Sequence, residues 1–135
     1  MTTTTSNAWD ASIKALYVVA EKTDFSIDVL DLNLPFDVLA DVEIGENINE
    51  FATRHEARVS IVNLSTGTRV AVELGAEDLT PVRDTPRRTQ LRVPFGALAN
   101  SQSGDVMQAI ASYKVNAGAH TDVSYAFSEP FVVGN

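Results

Sequence analysis

Apolar and polar residues alternate at a period of two along most of this sequence, and that pattern restricts the chain to β-structure. Only an extended backbone sends successive side chains to opposite faces. Ile13–Ala20 is rich in β-branched and aromatic residues and reads as a strand. In Phe25–Asp31, the residues Phe25, Ile27 and Val29 share one face, and Pro35 then breaks the chain. Val38, Ala40, Val42 and Ile44 alternate with Leu39, Asp41 and Glu43, a third strand with one wet side that ends at Gly45.

Residues 47–58 fit two readings. As a strand, Phe51, Thr53, His55, Ala57, Val59 and Ile61 share a face. As a helix, Asn47 is an N-cap with Glu50 three residues on, and Ile48, Phe51, Ala52, His55 and Val59 form a stripe. The β-branched Val59 to Val62 favour the strand for the later half, with a helical turn before Phe51 left open.

Ser65 to Thr68 then carries a hairpin signal at Gly67, and Val70, Val72 and Leu74 alternate on the return. Residues 75–88 contain two prolines and read as loop or edge. Gln90 to Val93 alternates again before Pro94, and residues 95–105 read as a loop. Met107, Ala109, Ala111, Tyr113 and Val115 face one way along a long strand. Val123, Tyr125 and Phe127 mark another, and Phe131 to Val133 closes the chain. Eight or nine short strands with almost no helix predict an all-β fold, an antiparallel Greek-key β-sandwich, with a barrel as the alternative. Residues 1–11 are expected to be a flexible polar tail and residues 12–135 a single sandwich domain.

Two stretches carry a family resemblance. RVSIVNLSTGTRVAVEL is a strand–turn–strand pair, and QAIASYKVNAGAHTDVSYAFSEPFVV is similar to the last two strands of a fibronectin type III module, with its Ser128-Glu129-Pro130 ending. Together they cover about a third of the chain and resemble immunoglobulin-like and fibronectin type III-like sandwiches. Trp9 lies near the N-terminus, not on an early core strand, and there is no cysteine pair. The resemblance implies an immunoglobulin-like sandwich and, by analogy, a binding or assembly role.

The 135 residues are enough for one domain with a real core. A net charge of −8 argues against binding nucleic acid or anionic membrane. No apolar run is long enough to span a bilayer, and the polar N-terminus lacks the marks of a secretory leader, so a cytoplasmic location is the default expectation. Without cysteine there are no disulfides and no thiolate metal ligands.

The sequence offers little chemistry. It contains no nucleophile elbow, zinc-protease helix or phosphate-binding glycine loop. His55 reads as a structural histidine on an apolar face, and His120 as a solvated loop residue. Neither catalytic residues nor a metal or cofactor site is expected. A small-molecule cyclase or isomerase, using Tyr113, Tyr125, His55 and an acid, is the enzymatic alternative, so a small-molecule ligand stays open. A lectin-like or toxin-like protein exported without a leader is another alternative.

Charge asymmetry carries the leading expectation. Residues 28–50 hold seven carboxylates and no lysine or arginine; residues 1–50 sum to −8, residues 51–92 to +2 and residues 93–135 to −2. The acids read as the wet sides of strands more readily than as a calcium site. Asp28, Asp31, Asp41 and Glu43 on one side, and Arg83, Arg87, Arg88 and Arg92 on the other, are candidate contact surfaces. They would be complementary within one fold or between subunits. The expected function is a non-enzymatic binding or assembly module, self-associating or bound to a protein partner through these surfaces.

Overall fold

The alternating segments become nine strands in the computed structural model, which describes residues 9–134. With one short helix, the elements in chain order are β1 (Ala11–Ala20), β2 (Val29–Asp31), β3 (Phe36–Ile44), α1 (Glu46–Asn49), β4 (Ala52–Asn63), β5 (Thr68–Asp78), β6 (Arg87–Phe95), β7 (Val106–Ala117), β8 (His120–Phe127) and β9 (Phe131–Gly134). They form two open sheets, so the barrel alternative is set aside. One sheet runs β1-β3-β6, and the other runs β2-β9-β7-β4-β5 with β8 also on β7. The length of β7 allows this branching: Val106 and Met107 pair with β9, whereas Ile110 to Ala117 pair with β8. All named pairs are antiparallel except β2 with β9, which is parallel.

The core lies between the sheets. Val38, Ala40, Val42 and Ile44 of β3 and Leu91 and Val93 of β6 are buried, as are Val59 and Ile61 of β4 and Met107 to Val115 at alternate positions of β7. Phe36 bridges the layers, stacked on Phe95 of its own sheet at 5.1 Å and tilted against Phe131 of the other at 6.3 Å.

Two edges need closure. The backbone N–H groups of Ala11 and Ile13 donate to the Asp122 carboxylate (2.7 Å) and the Ser124 hydroxyl (2.9 Å), sealing β1 against β8. Consequently Asp122 and Ser124 turn toward the seam, and Val123, Tyr125 and Phe127 point outward. On the far side β5 crosses β6 closely, and a Cβ at Gly75 would sit 2.8 Å from Val93 Cγ2. Only glycine fits there.

Several expectations need correction. Residues 25–31 form a strand only at Val29–Asp31; Leu30 is the buried residue, while Phe25 and Val29 are exposed. β3 begins earlier, at Phe36, which adds buried Asp37, and its supposed wet side holds buried Leu39, because β3 is the central strand with Tyr17 and Arg92 flanking Leu39. A helical turn does precede β4, and a register shift between Ala52 and Arg54 breaks the alternation. Ala52 and His55 therefore both face inward and Phe51 and Thr53 outward. Residues 75–88 are only partly loop, since β5 runs to Asp78 and β6 starts at Arg87. Pro94 sits within β6, where an edge strand tolerates the missing donor. β1 starts at Ala11, and residues 1–8 of the expected tail lie outside the described residues. No helix among the described residues is long and apolar enough to cross a membrane.

Candidate functional site

The register of β3 against β6 sets the acid-rich and arginine-bearing segments side by side. Glu43 is opposite Arg88, and Asp41 is opposite Gln90. Arg88 Nε approaches Glu43 Oε2 at 3.4 Å, and Gln90 Nε2 donates to Asp41 Oδ1 at 2.6 Å. Together with Lys14 they line a shallow depression of about 300 Å³ on the outer face of the three-stranded sheet. Below it, Arg92 Nη1 donates to Asp37 Oδ2 (2.7 Å) and the Thr23 carbonyl (2.9 Å), while Nη2 reaches Asp24 Oδ1 (2.9 Å). The hydrogen bond to Asp37 raises the Arg92 pKa further above its ordinary value, with burial opposing. Asp37 also accepts the Lys22 backbone N–H (2.8 Å), so this buried carboxylate is held by two donors.

The other two candidate arginines, Arg83 and Arg87, are also occupied. Arg87 Nε donates to Asn49 Oδ1 (2.8 Å) and its Nη2 to the Thr80 carbonyl (2.6 Å), and Arg83 Nε reaches Glu50 Oε1 (3.2 Å). Asp28 and Asp31 stand apart from this face. The Asp28 carbonyl accepts the Val132 N–H, and Asp31 Oδ1 caps Asn33 N–H at 2.8 Å in a local turn. The structure thus brings Asp41, Glu43 and Arg88 together with Arg92 nearby, and disperses Asp28, Asp31, Arg83 and Arg87. Among the described residues no group of three or more His, Asp or Glu side chains could hold a metal ion.

A second cluster runs from the core to the exposed Glu77. His55 Nε2 is 2.9 Å from Glu77 Oε1, and Nδ1 is 2.7 Å from the Tyr113 hydroxyl. Because a carboxylate only accepts, Nε2 carries the proton and Tyr113 O–H donates to Nδ1. Burial lowers the His55 pKa, with the Glu77 hydrogen bond opposing, so the imidazole is neutral in this chain of bonds. Burial also pushes the Tyr113 pKa up. His55 and Tyr113 are both fully buried. Tyr125, the enzymatic alternative's other tyrosine, points out of the opposite face of the same sheet and is exposed. Three of that alternative's four groups, His55, Tyr113 and an acid (Glu77), therefore meet, and Tyr125 lies apart from them.

A third feature was not singled out in the sequence. On the outer face of the six-stranded sheet, Tyr125 and Phe127 of β8 are 69% and 64% exposed. Their β7 partners are Ser112 and Ile110, which in turn oppose Arg58 and Ser60 of β4 and then Leu74 and Val72 of β5. The adjacent row holds Val123, Lys114, Glu56 and Ala76, with Lys114 bonded to Glu56 at 3.3 Å. The available signal was that Asp122 and Ser124 alternate with the aromatics; burying either set exposes the other.

Comparison with known proteins places the fold. No family model and no curated protein matches the sequence. A Mobiluncus mulieris adhesin containing intramolecular disulfide, isopeptide and ester cross-links superposes with a TM-score of 0.51 at 11% identity, over 93% of this chain and 57% of its own. The fold is an immunoglobulin-like β-sandwich. The major pilin subunit of Bacillus cereus (TM-score 0.48, 13% identity, 89% of this chain and 40% of its own) is also similar. A β-glucuronidase of glycoside hydrolase family 2 is similar too (0.49, 12%, 93% and 13%). The chain spans less than two thirds of each of these three proteins.

Proposed function

We propose that this immunoglobulin-like sandwich is a non-enzymatic binding and assembly module that self-associates through the outer face of its six-stranded sheet. The exposed pair Tyr125 and Phe127, set among Ile110, Val123 and Leu74, carries this reading. Aromatics and arginine with few carboxylates are the composition of an interface centre. The chain as a whole is −8, yet the rows described above carry Arg58 and Lys114 against Glu56 alone. A second copy meets little like-charge repulsion at that face.

The acidic and arginine surfaces contribute differently from the expectation of pairing between subunits. Their partners lie within the same chain, across β3 and β6 and around α1. A contact role is in keeping with the adhesin that shares the fold, although fold alone assigns no function. Sedimentation velocity at rising protein concentration tests the proposal. Concentration-dependent dimers that survive added salt support it, since screening weakens the −8 repulsion and leaves apolar contact intact. A monomer at every concentration refutes it.

A further inference from the structure

At one end of the sandwich, the β4–β5 turn and the β6–β7 connection enclose a groove of about 510 Å³. Its size lies in the range of small-ligand sites. The groove is far from a loose gap between mobile loops, because buried polar groups fix both walls. Asn63 is 3% exposed; its Oδ1 accepts the backbone N–H groups of Ser65 (2.9 Å) and Thr66 (3.2 Å), and its Nδ2 donates to Asp105 Oδ2 (2.9 Å). Asp105 Oδ2 also accepts the Gln102 N–H (3.1 Å). Leu64 N–H donates to the Val106 carbonyl (2.7 Å), and Val106 N–H donates to Ser65 Oγ (3.0 Å). The two segments are thus cross-linked where residues 63–65 meet residues 105–106.

The lining side chains have hydrogen-bonding capacity to spare. Asn100, Ser101 and Gln102 make no side-chain hydrogen bond to any described residue, and Asp105 Oδ1 has no such partner. Thr66 and Thr68 hydroxyls share one hydrogen bond at 2.7 Å, which leaves one of the two protons available. Val70 and Leu98 add an apolar surface between these groups. The lining holds one carboxylate and no lysine, arginine or histidine. Nothing there compensates an anion, and one carboxylate is poor provision for calcium, which gathers six to eight oxygens.

We propose that this groove binds a neutral polyhydroxylated ligand, a saccharide. Amides both donate and accept, and a carboxylate accepts from a hydroxyl. Vicinal hydroxyls can satisfy Asn100, Gln102 and Asp105 together while a sugar C–H face lies on Leu98 and Val70. None of the residues named on the self-association face lines the groove, so the proposal stands independently of self-association.

The test is an amide ¹H–¹⁵N titration of the full chain with glucose, galactose, mannose, N-acetylglucosamine and their short oligomers. Inorganic phosphate and calcium serve as parallel probes. At least one saccharide should give saturable shifts confined to residues 63–70 and 98–105. The double variant Asn100→Ala/Gln102→Ala, altered only at exposed side chains, should keep its melting temperature and lose at least tenfold in affinity. No saturable shift with any saccharide overturns the proposal. So do shifts elsewhere, undiminished binding by the variant, or a groove that answers only to calcium or phosphate.

Discussion

Replacing Tyr113 by phenylalanine removes one oxygen and changes nothing else in shape. In the native core that hydroxyl donates to His55 Nδ1 at 2.7 Å, and both residues are fully buried. Without it, Nδ1 keeps a lone pair with no donor, because Nε2 is committed to Glu77. Leaving a buried acceptor unmade costs about 1–3 kcal/mol. For a domain of this size that corresponds to a fall in melting temperature of roughly 3–5 °C per kcal/mol. Urea denaturation at pH 8, where His55 is neutral in both folded and unfolded states, measures the loss directly. The same substitution in a His55→Phe background should cost far less, since the orphaned acceptor is gone; the difference is the coupling energy of the pair. A cost below about 0.5 kcal/mol, the scale of an unremarkable surface change, refutes the assigned bond and its tautomer. An equal cost in both backgrounds does the same.

The same imidazole makes stability depend on pH. His55 binds its proton less readily when folded, so between its lowered folded pKa and the unfolded value near 6.5 the unfolded chain holds more protons. Stability from this group is fully present above about pH 6.5 and declines as pH falls; the decline should be missing from His55→Phe in paired denaturation curves. Gly75→Ala should destabilise by about 1–3 kcal/mol in thermal melts, because the new methyl meets Val93 Cγ2, whereas Gly96→Ala, with open space around it, should be nearly silent. Arg92→Met should lower the urea midpoint more than Arg88→Met. It strips a partner from the buried Asp37, while the Arg88 side chain is 79% exposed.

The period of two made the sandwich legible from residues alone, and the inward faces of β4 and β7 followed from it. What escaped the pattern had local causes. A bulge shifts parity at Ala52 to Arg54, so Phe51 could not be placed by counting alternate positions. Asp37 looked like a surface acid, and only the pairing of β3 with β6 brings Arg92 over it. The charge asymmetry was visible in the sequence, but whether its halves meet within the chain or between chains depends on strand order, which no local pattern encodes. β8 misleads for a related reason: Asp122 and Ser124 serve the edge of β1, 111 residues away in sequence, and that long-range need turns Tyr125 outward.

Sedimentation velocity at low and high salt, comparing the native chain with Tyr125→Ser/Phe127→Ser and with Arg88→Glu, separates the two ways this chain could assemble. An apolar contact face gives association that rises with protein concentration, persists or strengthens with salt, vanishes in the aromatic variant and survives Arg88→Glu. Association that salt dissolves and Arg88→Glu abolishes, or a monomer under every condition, contradicts it.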